Sequence, residues 1–259
     1  MVITNLAFVE NVSQGEYLPS GVPGVDDLLE GKGLPRGYNI FILGSPGSGK
    51  TTFGLQFLHA GATKFGENGI YISLDEDVPH VKANSARLGL DLDPLERQNK
   101  IALVDASPIR RLPRQVVVDE YRIGRKEFTL DSLLDIVKTQ VKRIGAKRLV
   151  IDPLVSLTLQ FPDEVERRQA ILDLMAGTWE TGCTSLLISE LAESGADRRY
   201  QFEEFLAEGV IVMRKRERGA GISRELTVEK MRGLANDDQP RPYKIQKGGL
   251  MVYPKETVL

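Results

Sequence analysis

Gly44-Ser45-Pro46-Gly47-Ser48-Gly49-Lys50-Thr51 is the stretch that decides how the chain reads. It meets every fixed position of the Walker A pattern. The apolar run 38–43 precedes it. A helix pattern opening at Lys50-Thr51-Thr52 follows, with Phe53, Phe57 and Ala60 at i, i+4 and i+7. The chemistry needs this order. Glycines let backbone N–H groups wrap a phosphate with no side chain in the way. The helix N-terminus adds partial positive charge at the same point. Lys50 is placed to reach β- and γ-phosphates, and the Thr51 hydroxyl to ligate Mg²⁺. Ser45, Pro46, Gly47, Ser48, Gly49, Lys50, Thr51 and Thr52 are therefore the expected nucleotide contacts.

Further short apolar runs lie at 70–74, 101–104, 149–151 and 185–188, with helix-length patterns between most of them. Leu134, Val137, Val141 and Ile144 form one stripe; Val165, Leu172, Met175 and Trp179 form another, read as core. Strands alternating with amphipathic helices imply an α/β fold around a mostly parallel sheet, covered on both faces. The last third differs. Gly209–Arg218 and residues 222–230 read as an antiparallel hairpin turning at Gly219-Ala220-Gly221. A second pair, 243–246 and 250–253, turns at Lys247-Gly248-Gly249.

Residues 147–152 form an apolar strand ending in Asp152, the Walker B arrangement for holding Mg²⁺. The next residue is Pro153, so a water-activating carboxylate must come from elsewhere. Asp75 and Glu76 are the candidates, because they follow the strand 70–74 and fall on the carboxyl edge where ligands sit in open α/β sheets. Lys230 and Arg232 alternate around Met231 and share a face if that segment is a strand. Ser189 and Glu190 end another strand and are candidates for sensing phosphate or orienting water.

Composition narrows the class. A length of 259 residues suits one large α/β domain or two small ones. One cysteine, Cys183, excludes an intrachain disulfide framework, and two histidines argue against a His-based metal centre. A formal charge of −2 argues against a globally basic nucleic-acid binder. Two local basic stretches remain. One runs from Arg110 to Lys126; the other is Arg214-Lys215-Arg216-Glu217-Arg218, where alternation sends Lys215 to one face and the arginines to the other. The first is a place for nucleic acid or an acidic partner protein and the second for a subunit interface or ring lumen; the alternative for each is a solvated face. The opening residues 1–10 carry no signal-peptide pattern and no run reaches membrane-span length, so a cytoplasmic location is expected.

The order of motifs resembles the KaiC-like ATPases of the RecA superfamily, of the single-domain archaeal type. It runs from Ser20-Gly21-Val22-Pro23-Gly24-Val25-Asp26 through Leu34-Pro35-Arg36-Gly37, the phosphate loop, Asp75-Glu76, Asp152 and Glu208-Gly209-Val210-Ile211 to Lys230-Met231-Arg232-Gly233. The likeness spans about 18–253, so one RecA-like domain over 1–259 is expected, with ATP and Mg²⁺ as cofactors. The resemblance implies ATP hydrolysis at subunit interfaces of a homo-oligomeric ring, commonly a hexamer. It implies water activation by the acidic pair, and Lys230 and Arg232 reaching the γ-phosphate bound by a neighbour. Two departures bear on rate. Asp75 stands where the family often has Glu, which favours Glu76 as the base, and Pro153 replaces a Ser or Thr. Both departures keep open a nucleotide-gated binding protein with little hydrolysis; the RecA core also admits a recombinase- or helicase-like DNA motor.

Overall fold

The computed structural model describes residues 17–106, 130–161, 163–194, 197–198, 200–218 and 221–258. The basic stretch from Arg110 to Lys126, the opening residues 1–10, and Gly219 and Ala220 of the expected turn lie outside them, while Gly221 of that turn belongs to a strand. Among the described residues thirteen strands run in chain order. β1 (Tyr17–Leu18) pairs with β2 (Leu34–Pro35), and β8 (Glu193–Ser194) with β9 (Asp197–Arg198), as two small antiparallel ribbons. The main sheet holds β3 (Asn39–Gly44), β4 (Gly69–Ser73), β5 (Ile101–Asp105), β6 (Arg148–Asp152), β7 (Thr184–Glu190), β10 (Gly209–Arg218), β11 (Gly221–Met231), β12 (Arg241–Gln246) and β13 (Gly249–Val252). Its order is β13-β12-β11-β10-β3-β7-β6-β4-β5. From β10 to β5 every pairing is parallel; from β10 to β13 every pairing is antiparallel.

The apolar runs become strands buried on both faces. Every residue of β3, β4 and β6 is buried, as a parallel sheet between two helical layers requires. One layer contains α1 (Lys50–Ala60), whose Phe53 and Phe57 pack with Tyr71, Val150 and Ile188. After α2 (Val78–Arg87) and α3 (Asp93–Arg97), the other layer is made by α4 (Leu130–Ile144) and α6 (Glu164–Trp179), with the short α5 (Val155–Thr158) before α6. α1 is not amphipathic as its pattern suggested: seven of its eleven residues are buried. The strand pair β12–β13 covers its outer side, where Gln56 donates to the Leu250 carbonyl at 3.1 Å and accepts from the Leu250 N–H at 2.6 Å.

The α6 stripe is corrected. Met175 is buried as expected, and Ala170, Ile171, Leu174 and Thr178 face the core with it, while Val165 is 74%, Leu172 37% and Trp179 41% exposed. Residues seven apart share a helix face, but here that face points away from the sheet. Close packing sets the rotation: a Cβ on Gly177 would stand 2.5 Å from Leu134 of α4. Among the described residues no helix is long and apolar enough to cross a membrane.

Arg148, at the first position of β6, is 0% exposed. Its guanidinium donates to Glu67 at 2.7 Å, the Phe57 carbonyl at 2.9 Å and the Pro19 carbonyl at 3.0 Å, and it stacks on the Phe57 ring. Burial works against the Glu67 carboxylate, but hydrogen bonds from Arg36 and Arg148 more than offset it and hold its pKa below the ordinary value. Removing Arg148 leaves Glu67 only Arg36 as a cation and takes away the donor of the Phe57 and Pro19 carbonyls, and breaking such a buried network is costly. Arg148→Ala is therefore expected to destabilise the fold by about 3 kcal/mol or more, read as a lower urea midpoint at unchanged slope. A midpoint within error of wild type would refute it.

Candidate nucleotide site

β3 ends at Gly44 and α1 begins at Lys50, so the loop between them lies at the carboxyl edge of the sheet. Gly47 (φ 72°) and Gly49 (φ 96°) occupy the left-handed region that side chains resist. A Cβ on Gly49 would also stand 2.7 Å from Ile245 of β12. The loop is braced from outside. Tyr243 of β12 donates to the Ser48 carbonyl at 2.5 Å, and the Lys215 N–H of β10 donates to Ser45 Oγ at 3.2 Å. Gly49 caps α1 without a side-chain hydrogen bond, which leaves the first-turn N–H groups to a ligand.

Lys50 Nζ donates to the carbonyls of Gly44 at 2.8 Å and Ser45 at 3.3 Å. Burial pushes its pKa below the ordinary lysine value, and the charges of Asp152 and Glu190 oppose that. Asp152 is 6% exposed at the end of β6. The Thr51 hydroxyl lies beside its carboxylate, and the Tyr71 hydroxyl donates to Oδ2 at 2.9 Å. Burial raises the Asp152 pKa, while the two neighbouring hydroxyls and Lys50 favour the ionised form. A buried carboxylate touching a hydroxyl at the start of the phosphate-loop helix is a hard-oxygen donor pair. It fits Mg²⁺, which takes one or two protein oxygens and fills its shell from phosphate and water.

Asp75 and Glu76 follow β4 and are exposed on this same edge. Asn84 of α2 donates to Glu76 Oε1 at 3.0 Å, and the Ser73 hydroxyl donates to the Glu76 carbonyl. Ser189 and Glu190 end β7 opposite Leu43 and Gly44. The structure thus brings Lys50, Thr51, Asp152, the acidic pair and Glu190 to one edge. Tyr71 and Asn84 join them unannounced, since a tyrosine in an apolar strand and an asparagine in a helix look ordinary in the chain.

Lys230 and Arg232 are elsewhere. Lys230 pairs with Val210, which pairs with Phe41, whereas Gly44 pairs with Met213. Three residues along a strand are about 10 Å, so both cations lie back toward the amino edge and two strands away from β3. Their side chains converge on the last turn of α7 (Phe202–Leu206). Lys230 Nζ donates to the carbonyls of Glu204 at 3.1 Å and Phe205 at 3.2 Å, and Arg232 to that of Phe205 at 2.9 Å. A cavity of about 520 Å³ opens beside Lys230, lined in part by Tyr200, Phe205, Thr227 and Asp238.

A family profile described as "ATPase: KaiC" matches residues 18–257. The chain belongs to the KaiC ATPase family. Relatives matched over nearly their whole length include the UPF0273 protein of Aeropyrum pernix, 32% identical over 94% of this chain and 96% of that one. The corresponding protein of Thermotoga maritima is 33% identical over 92% and 96%. The circadian clock oscillator protein KaiC of Parasynechococcus marenigrum is 30% identical over 93% of this chain, but the match spans only 45% of that longer protein. Among solved structures, a KaiC-like protein of Pyrococcus horikoshii superposes with a TM-score of 0.77 at 34% identity, covering 92% of this chain and 99% of that one. Membership in the KaiC family carries an ATP-binding, RecA-like fold.

Proposed function

We propose that the chain is a Mg²⁺-dependent ATPase, slow and regulatory in role, whose active sites form between copies of itself in a ring, hexameric as the family resemblance implies. The observation that carries this reading is the phosphate loop with Thr51 held against the buried Asp152. The loop N–H groups and Lys50 bind the β- and γ-phosphates. Thr51 and Asp152 hold the metal, which when bound neutralises charge on the phosphate oxygens. Glu76 accepts a proton from the attacking water. Lys230 and Arg232 lie too far from their own loop to serve it, which supports their serving the γ-phosphate of a neighbour. On assembly they exchange the α7 carbonyls for that phosphate, and the adjoining cavity gives it room.

The direct test is nucleotide affinity and steady-state hydrolysis of the wild type beside Lys50→Ala. The variant removes a partly buried cation whose hydrogen bonds would pass to the phosphates. Affinity for ATP is expected to fall about a hundredfold or more, since such contacts are each worth about 1.5–3 kcal/mol. Equal affinity in the two proteins would refute the site. A wild type that binds ATP tightly but does not turn it over, even assembled, would favour the nucleotide-gated binding protein. The Asp75 and Pro153 departures already point toward low turnover.

A further inference from the structure

β10 is ten residues long, yet it pairs with β3 only from Gly209 to Met213, opposite Gly44. Its second half therefore runs on past the end of β3 and alongside the phosphate loop, held on its other side by β11. Side chains alternate along it. Ile211 and Met213 pack in the same layer as Phe53 and Phe57 of α1, while Val210 and Val212 pack in the opposite layer. The next residue of the first series is Lys215. Its N–H is bonded to Ser45 Oγ, and its Nζ lies 3.9 Å from where a Cβ on Gly47 would be. The flanking arginines point the other way and are neutralised, Arg214 by Glu229 at 3.2 Å and Arg216 by Glu225 at 2.8 Å. Among the described residues Lys215 has no carboxylate partner, and its side chain is exposed.

We propose that Lys215 is a second lysine of the nucleotide site, acting within its own subunit on the β-phosphate of a bound nucleoside di- or triphosphate. Two ammonium groups and a helix N-terminus then surround one glycine loop. That concentration of positive charge is unfavourable alone and is relieved by a polyanion. Gly47 matters to the arrangement because it leaves the loop surface bare at the point the lysine approaches. The inference rests on reading the loop as a nucleotide site, and it adds a residue from a strand that the linear motif does not contain.

The test measures ADP and ATP affinity by fluorescent-nucleotide titration for wild type, Lys215→Ala, Lys215→Gln and Lys215→Arg, with Lys50→Ala as reference. Lys215→Ala and Lys215→Gln are expected to weaken ADP and ATP alike by about tenfold, the size of one charge-assisted contact at an exposed position. Lys215→Arg is expected to retain most of the affinity. The difference between wild type and Lys215→Ala should shrink in high salt, because an exposed charge is screened. The melting temperature without nucleotide should not move, which separates a ligand contact from a structural one. Unchanged ADP affinity in Lys215→Ala at low salt overturns the inference. Failure of the wild type itself to bind either nucleotide defeats the nucleotide reading first, and the inference falls with it.

Discussion

Arg232→Ala is expected to lower ATP turnover by about a thousandfold or more while leaving nucleotide affinity close to wild type. An arginine that meets the γ-phosphate from a neighbouring subunit stabilises charge developing in the transition state, and such residues contribute roughly 10³–10⁵ in rate. Among the described residues the side chain donates to the Phe205 carbonyl, back toward the amino edge of the sheet from the loop, so affinity for ATP within its own subunit should not depend on it. Its removal also leaves the backbone link from the Arg232 N–H to the Glu208 carbonyl at 2.8 Å in place, so the fold should persist. Mixing gives the decisive measurement. Arg232→Ala subunits retain Lys50, and Lys50→Ala subunits retain Arg232. Co-assembled from two inactive preparations, they recover turnover at interfaces that join the two intact residues. No recovery in mixed assemblies, or full activity in a protein that stays monomeric with ATP, would sink the arrangement in trans.

Glu76→Gln should lower turnover by roughly 10²–10⁴, the range for removing a positioned general base, with ATP affinity unchanged. Glutamine keeps the length and the Asn84 hydrogen bond but cannot accept the proton of the attacking water. Two contacts fix Glu76, one on its carboxylate from Asn84 and one on its carbonyl from Ser73. Asp75→Asn is the matched comparison, since a carboxylate one methylene shorter reaches less far. Single-turnover hydrolysis by assembled protein separates the chemical step from product release. Turnover in Glu76→Gln equal to wild type, with Asp75→Asn impaired, would transfer the role to Asp75; no loss in either would remove the acidic pair from the chemistry.

The chain by itself determined what depends on neighbours along the backbone. A strand, a glycine loop and a helix N-terminus must be contiguous to make a phosphate cradle, so residues 44–52 declared it. Short apolar runs located the five parallel core strands to within two residues at each end, and helical stripes marked α1, α4 and α6 but not α2 or α3, because burial is a local compositional demand only where it falls on a regular face. Tertiary structure alone decided the rest. Which face of α6 is core depended on how closely Gly177 lets it approach Leu134, and a seven-residue apolar spacing cannot report that. That Arg148 is wholly buried followed from partners 81 and 129 residues away. Tyr71 and Lys215 reach Asp152 and Gly47 across strands that are distant in sequence. The separation of Lys230 and Arg232 from the loop came from pairing register, since a motif names residue types and only the sheet sets how far apart they stand.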